Sequence, residues 1–595
     1  MMTLGTIGRI AASAVLVLVL VLAAAPWVVS PYLLQILSTL GIAVILALGL
    51  NILMGYAGQV SLANAAFFGM GAYGVAVLGG PLTFWLAVPL VAVATALVGL
   101  LVGLPALRVS SHYLALATLA FVWTVQVVLV NWVSVTGGAP GLATSRAGMG
   151  LGVFAGDRAY YLLVLAVTVA MLLLAVGIVR SKTGRAFTAI RDNENAAEIM
   201  GVSLARYKTM AFAVNAFYCA VAGGLQAGLV RFLDPYEFGL WPSIWHLLYI
   251  VVGGLGTIAG SILGPVVLVA LPEALRTFAE YRELIFAVVL LLTLIYMPAG
   301  LVGLLGPLLR FRPAAQNAGP AGPVRLQSGH ARATRGGEAL VVAGVSLSFG
   351  GLKALQSASL TVAEGEIRAL IGPNGAGKTT FLNVLCRVYD PDAGSLTFRG
   401  RKLLRLSSHQ LAPLGIVRTF QNIRLFGRMT VLDNVLVGTH AQTRHGLPGG
   451  ALRLPRARQE EAAIRQRALM LLSYVGLLPQ RDIRADALPF GQQRRLELAR
   501  ALAADPALLL LDEPASGLDK AEVDELVAVI RTVRRELGVS VLLIEHDMNF
   551  VMGLADRITV LDHGAVIAEG TPADIQADHR VIEAYLGQEH VLVDA

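Results

Sequence analysis

Between residues 10 and 308 the chain is almost continuously apolar, broken into roughly nine runs, most near the ~20 residues that a helix needs to cross a bilayer. They fall near 10–28, 33–54, 62–79, 83–106, 113–134, 159–179, 209–230, 241–275 and 283–308. A segment of this kind folds as a bundle of spanning helices, because hydrocarbon offers no partner to an unpaired backbone amide. From about residue 339 the composition becomes that of an ordinary soluble α/β domain. The fold class expected is therefore an N-terminal polytopic α-helical membrane domain (1–310) and a C-terminal α/β domain (339–595). Between them lies RPAAQNAGPAGPVRLQSGHARATRGGE, rich in Ala, Gly, Pro and Arg and read as a flexible linker over 311–338.

The net charge of +8 does not indicate a nucleic-acid partner, because the basic residues crowd the loops expected on the cytoplasmic side. Arg180, Lys182, Arg185, Arg191, Arg206 and Lys208 share one such loop. An uncleaved first span is expected, since it opens an array of spans and leaves that loop inside after six crossings. Three runs then separate the loop from the soluble domain, and an odd number would put them on opposite sides. The long run 241–275 is interrupted by VVGGLGTIAG, so it is expected to be two helices meeting at Gly253-Gly254. Two cysteines, Cys219 and Cys386, imply no disulfide framework.

Within the charged loop, RAFTAIRDNENAAEIMG is polar and alanine-rich. Asp192 is expected to cap a short helix beginning at Asn193, with Glu194 in its first turn and Gly201 closing it in the left-handed conformation. Ala196, Ala197 and Met200 would form one small apolar face. A face that small cannot anchor a core, so it suggests docking onto something else.

In the soluble half, the apolar EIRALI runs into GPNGAGKTT and then the helical pattern FLNVLCRVY. Here Gly372, Gly375 and Gly377, with Pro373, Asn374, Ala376 and Thr380 between and beside them, would wrap backbone amides around phosphates. Lys378 would reach the terminal phosphates and the Thr379 hydroxyl would ligate magnesium. About 130 residues on, LLLLDEP ends a buried strand in two carboxylates. Asp512 fits a magnesium-coordinating role and Glu513 a base that polarises the attacking water. The next strand, VSVLLIEHD, is expected to end at His546, in reach of a γ-phosphate. Gln421 in RTFQN would sense magnesium and water, and Phe349 would stack on adenine.

LPFGQQRRLELARAL precedes LLLLDEP by a short interval. With Gly372 to Thr379, Gln421, Gly491-Gln492, Asp512-Glu513, Asp519 in SGLD and His546 in this order, residues 339 to 590 resemble an ABC transporter ATPase. FGGLKAL, GIVRTFQNIRLF, MTVLDNVLVG and the terminal VIEAYLG resemble more narrowly the ATPase subunit of branched-chain amino acid importers. NILMGYAGQVSLANAAFFGMGAYG, LPALRVSSHYLALATLAF, VTGGAPGL and MPAGLVG resemble a permease of the same group. The resemblance implies ATP and Mg2+ as cofactors, with nucleotide contacts extending to Gly491 and Gln492. It implies that Asn193 to Gly201 is the coupling helix. It further implies a second permease, a second ATPase, a periplasmic or extracellular substrate-binding protein, and a place in the cytoplasmic (inner) membrane. One departure stands out: Pro489 replaces the serine of LSGGQ.

Importers of urea, short amides or aromatic acids share this architecture, and an exporter half-transporter joins the same two kinds of domain in the same order. A soluble ATPase with a membrane anchor is a poorer fit to nine apolar runs. For the substrate path, Gln59, Ser61, Asn64 and the Gly137-Gly138 loop are the candidates, since no intramembrane charge stands out as a pair for a zwitterion.

Overall fold

The computed structural model describes residues 17–107, 111–146, 148–276, 281–297, 299–304 and 337–586. Most of the expected linker, the start of the first apolar run and parts of MPAGLVG and VIEAYLG lie outside them. The chain divides into two compact units. One joins 1–191 with 204–316 and 446–454, and the other joins 192–203 with 317–445 and 455–595.

In the first unit, the short apolar helix Val17–Val28 precedes α1 (Pro31–Leu50), α2 (Asn64–Leu82), α3 (Phe84–Val102), α4 (Ser111–Asn131) and α5 (Asp157–Val179). The amphipathic α6 (Lys182–Asp192) follows, and after the loop come α8 (Leu204–Leu229), α9 (Leu240–Gly253), α10 (Gly260–Ala274) and α11 (Arg282–Tyr296). Among the described residues six helices are long and apolar enough to cross a membrane. Small residues let them pack closely. A Cβ at Gly71 would lie 2.4 Å from the Ala220 carbonyl oxygen, and one at Gly223 would lie 2.2 Å from that of Phe68. The α2–α8 seam therefore depends on missing side chains, as small-residue contacts between membrane helices do.

The expected break in the 241–275 run is present: α9 ends at Gly253, Gly254 caps it at φ +128°, and α10 starts at Gly260. It leaves α9 and α10 as an apolar pair of 14 and 15 residues, each shorter than the six candidate spans.

The freed backbone at this break is held by side chains: Thr257 Oγ1 donates to the Gly254 carbonyl and accepts from Gly260 N–H, and Asn51 reaches it from α1. Here α1 runs on through a π-helical turn, Asn51–Tyr56. Asn51 donates to the Thr257 carbonyl and to Ser261 Oγ, both at 2.7 Å, and accepts from Gly256 N–H at 2.8 Å. Its amide is fully used, which suits a residue only 1 % exposed among apolar helices.

The second unit contains two sheets. Strands β1 (Glu338–Phe349), β2 (Leu352–Ala363) and β4 (Ala393–Phe398) form an antiparallel sheet, edged by the two-residue strand Arg401–Lys402. The other sheet has the order β9-β8-β3-β7-β6-β5, from β9 (Ala565–Gly570), β8 (Arg557–Asp562), β3 (Ile367–Ile371), β7 (Ser540–Ile544), β6 (Leu508–Asp512) and β5 (Ile416–Arg418). It is parallel except for β9. Strands β3, β6 and β7 are buried at every residue, as the mostly apolar strands of a covered parallel sheet should be, and the buried Arg368 of β3 pairs with Glu366 and Glu569. Ligands of such sheets bind at the carboxyl ends of the strands, and both carboxylates of LLLLDEP lie at that end of β6.

Candidate functional site

Strand β3 passes through Gly372–Gly377 into α12 (Lys378–Leu385). The glycines are required by the backbone, since Gly372, Gly375 and Gly377 take φ of +154°, +83° and +99°. A Cβ at Gly372 would also meet the Leu561 carbonyl oxygen at 2.0 Å. Asn374 and Gly375 on the loop and Thr379 in the first turn of α12 are exposed, while Ala376 and Lys378 are buried. Lys378 folds back, its Nζ donating to the carbonyls of Gly372 (2.7 Å) and Pro373 (2.9 Å). Burial pulls the Lys378 amine below its usual range, and the charges of Glu513 and Asp512 oppose that shift.

Glu513, one residue past β6, has φ +44° and donates its N–H to the Ile544 carbonyl at 2.8 Å. Its carboxylate accepts from Gln421 Nε2 at 2.9 Å and lies 3.8 Å from His546 Nδ1. Three of the expected residues thus meet at one point. The strand before His546 stops at Ile544, not at His546, which projects from the following loop with its side chain 61 % exposed. Phe349 ends β1, half exposed, with its ring against that of Tyr389 at 5.2 Å.

Thr379, Gln421 and Asp512 line a single cavity of about 590 Å3. An oxygen-only donor set with few carboxylates suits a small hard cation that keeps waters and phosphate oxygens in its shell, so these residues fit Mg2+. Gly491 and Gln492 do not line that cavity. They open α15 (Phe490–Ala503), whose N-cap is Pro489, and that cap makes no side-chain hydrogen bond. Gly491 packs so closely on Glu522 that a Cβ would lie 1.9 Å from Glu522 Oε1. Asp519 caps α16 (Lys520–Leu537) and forms a reciprocal capping box with Glu522.

The alanine-rich segment belongs to this unit. Its helix α7 spans Glu194–Ile199, and the cap is Asn193, not Asp192: Asn193 Oδ1 accepts from Ala196 N–H at 2.9 Å. Asp192 is still the last residue of α6, and its carboxylate accepts from Arg428 N–H at 3.0 Å. Gly201 is left-handed as expected, at φ +88°. Ala196, Ala197 and Met200 are fully buried. Gly201 lies beside Ala412, Ala441 and the His409 carbonyl. Asn195, Glu198 and Ile199 line the same cavity as Asp512, and burial pushes the Glu198 carboxyl up.

Several residues of this arrangement carry no sequence signal. Arg494 donates to the carbonyls of Phe420 (2.8 Å), Gln421 (3.0 Å) and Glu513 (3.2 Å), fastening α15 to both loops around the carboxylates. Arg418 pairs with Asp512 at 2.9 Å. Tyr389 partners Phe349. Arg418 and Arg494 lie within RTFQN and LPFGQQRRLELARAL, but nothing local in the sequence gives either one its partners until the fold is known.

In the membrane unit, Gln59, Ser61 and Asn64 are buried in the stretch that leads into α2. Asn64 Oδ1 accepts from the Cys219 thiol at 2.8 Å. Gly137 and Gly138 are not in that stretch. They form a left-handed turn leading to a two-residue ladder in which Leu142 pairs with Leu233.

Family comparisons agree for both halves. The family described as "Branched-chain amino acid transport system / permease component" matches residues 32–296. "ABC transporter" matches 355–516, and "Branched-chain amino acid ATP-binding cassette transporter" matches 565–591. The high-affinity branched-chain amino acid transport ATP-binding protein LivG of Salmonella typhimurium is 46% identical over 249 residues, covering 42% of this chain and 98% of its own. The chain belongs to the branched-chain amino acid ABC transporter family. LivG of Escherichia coli K12 is 45% identical over the same shares, and a probable LivG of Archaeoglobus fulgidus is 37% identical over 41% of this chain and 94% of its own. Among solved structures, the ADP conformation of MJ1267, an ATP-binding cassette of an ABC transporter, is 30% identical, covering 42% of this chain and 99% of its own at a TM-score of 0.37. The transporter is thus a multi-pass membrane permease fused to an ATP-hydrolysing cassette.

Proposed function

We propose that the transporter imports branched-chain amino acids across the cytoplasmic membrane, drawing on ATP hydrolysis in its C-terminal half and receiving substrate from an external binding protein. The observation that carries this reading is that both halves match components of one substrate group, the permease model over 32–296 and the cassette model over 565–591. A second permease and a second ATPase complete the machine, and nucleotide closes two cassettes against each other.

In this reading the loop from Gly372 to Thr380 wraps the phosphates and Phe349 stacks on adenine. Lys378 leaves its own loop carbonyls for the terminal phosphates. Thr379, Asp512 and Gln421 hold Mg2+, which when bound neutralises developing phosphate charge. Glu513 orients the attacking water as general base, with Gln421 and His546 beside it. Gly491 and Gln492 serve the nucleotide of the partner cassette, which accounts for their distance from the cavity of Thr379. Asn193 to Gly201 is the coupling helix, its buried Ala196, Ala197 and Met200 seated in the groove by Ala412 and Ala441. Gln59, Ser61 and Asn64 supply polar groups to the substrate path, with the Gly137-Gly138 turn along it.

Uptake of labelled leucine, isoleucine and valine, measured against urea and benzoate in cells with and without this chain, tests the reading. Leucine uptake lost with the chain and restored by it is the expected result. Loss of urea or benzoate uptake alone overturns the substrate, and ATP-driven efflux from inverted vesicles in place of uptake overturns the direction.

A further inference from the structure

Asp512 does not stand alone at the end of β6. Arg418, the last residue of β5, is 5 % exposed and Asp512 is 2 % exposed. Arg418 Nη2 donates to Asp512 Oδ2 at 2.9 Å, and Nη1 donates to Asn383 Oδ1, on α12, at 2.7 Å. One planar guanidinium thus spans the strand that carries the carboxylate and the helix that begins with the phosphate-loop lysine. The Cys386 thiol also faces it. Arg418, Asn383, Thr379 and Asp512 all line the same cavity.

Stability alone is a weak reason for such a pair, because the desolvation of two buried charges offsets much of their attraction. Its geometry has another use. The terminal torsion of an aspartate is broad, so an unheld carboxylate swings between orientations. A rigid fork engaging Oδ2 while anchored on a third group removes that freedom. The fork engages Oδ2 alone, so Oδ1 is not taken up by Arg418.

We infer that Arg418 is a positioning residue for the metal: held by Asn383, it fixes the Asp512 carboxylate in the one orientation that serves Mg2+ beside Thr379. The inference rests on Asp512 being the magnesium-side carboxylate. Because Arg418 lies three residues before Gln421 on the same segment, it also makes metal geometry sensitive to the position of that loop.

The test uses the full-length transporter in nanodiscs and a fluorescent ATP analogue, titrated with Mg2+ from an EDTA baseline. Two variants weaken the fork differently: Arg418→Lys keeps the charge but gives up the planar two-armed grip, and Asn383→Ala removes only the anchor. Residues that orient a metal ligand typically govern about 10–100-fold in metal affinity. Both variants are therefore expected to raise the Mg2+ concentration for the half-maximal fluorescence change by about tenfold or more, with analogue affinity in EDTA within about twofold of the parent. An unchanged Mg2+ midpoint in both variants overturns the inference, as does an equal loss of affinity with and without the metal. Asp512→Asn separates the two levels. If it too leaves the midpoint unchanged, the magnesium reading of Asp512 fails; if it shifts the midpoint while the other two do not, only the role of Arg418 fails.

Discussion

Glu513 holds a backbone conformation that side-chain-bearing residues rarely adopt, at φ +44°, and it does so beside the phosphate loop. Such conformations persist where the surroundings over-determine them, and here the Ile544 carbonyl and the Arg494 guanidinium hold the peptide on both sides. The carboxylate is thereby presented to Gln421 and His546. Glu513→Gln is expected to leave ATP binding intact and slow hydrolysis by roughly 10²–10⁴-fold, the usual worth of a positioned base. Phosphate release by the assembled transporter measures it, and undiminished turnover would remove Glu513 from the role. Asn51 invites a second substitution. Asn51→Ala strips a partner from Gly256 N–H and from two oxygens, so each orphaned buried group should cost about 1–3 kcal/mol. Lower thermal stability of the purified protein and loss of uptake are expected together; a melting point equal to the parent's would show that the broken segment needs no such clamp.

Among the elements, α7 gives the sharpest prediction. Ala196→Arg or Ala197→Arg must bury a long cation in a seat now filled by a methyl group, so transport should be lost while ATP hydrolysis and membrane insertion persist. Uptake and ATPase assays on the same preparation decide it, and normal uptake in both variants would end the claim of tight docking. The helix α15 offers the opposite kind of change. Pro489 leaves its N-cap without a side-chain acceptor, so Pro489→Ser should add a cap worth about 1 kcal/mol and strengthen nucleotide-driven closure. The ATPase rate and the nucleotide dependence of cassette association read it out.

What could be read in advance follows from which signals are local. The phosphate loop was legible because three left-handed positions demand three glycines in a row of eight residues. The break at Gly253-Gly254 was legible because nothing else tolerates that backbone. The cap of α7 was misplaced by one residue because Asp192 and Asn193 are both good caps, and only the carboxylate's engagement with Arg428, far along the chain, decides between them. Asn51, Arg418 and Arg494 were invisible for the same reason: their partners are 206, 94 and 74 positions away. Gly137 and Gly138 had an obvious turn-forming chemistry but no local clue to where in the bundle that turn lies.

At the scale of the whole molecule, candidate spans on either side of the charged loop, α5 before it and α8 after it, predict the side on which each neighbouring loop lies. Val153 and Tyr236 are well exposed, Ala205 is exposed in the charged loop, and both native cysteines are buried and should stay silent to thiol reagents. Val153→Cys and Tyr236→Cys are expected to react with an impermeant maleimide added to intact cells, and Ala205→Cys only after permeabilisation. Labelling of Ala205→Cys from outside would invert the topology.

The hydrogen bond between Asp192 and Arg428 joins positions 236 residues apart, and the segment from 192 to 203 belongs to the unit built mainly from residues beyond 337. During synthesis this segment therefore leaves the ribosome long before the surface it will settle on exists. At about 5–20 residues per second the wait is on the order of ten to fifty seconds. Until the cassette is made, Ala196, Ala197 and Met200 lack the surface that buries them, so folding of this segment waits on the C-terminal half.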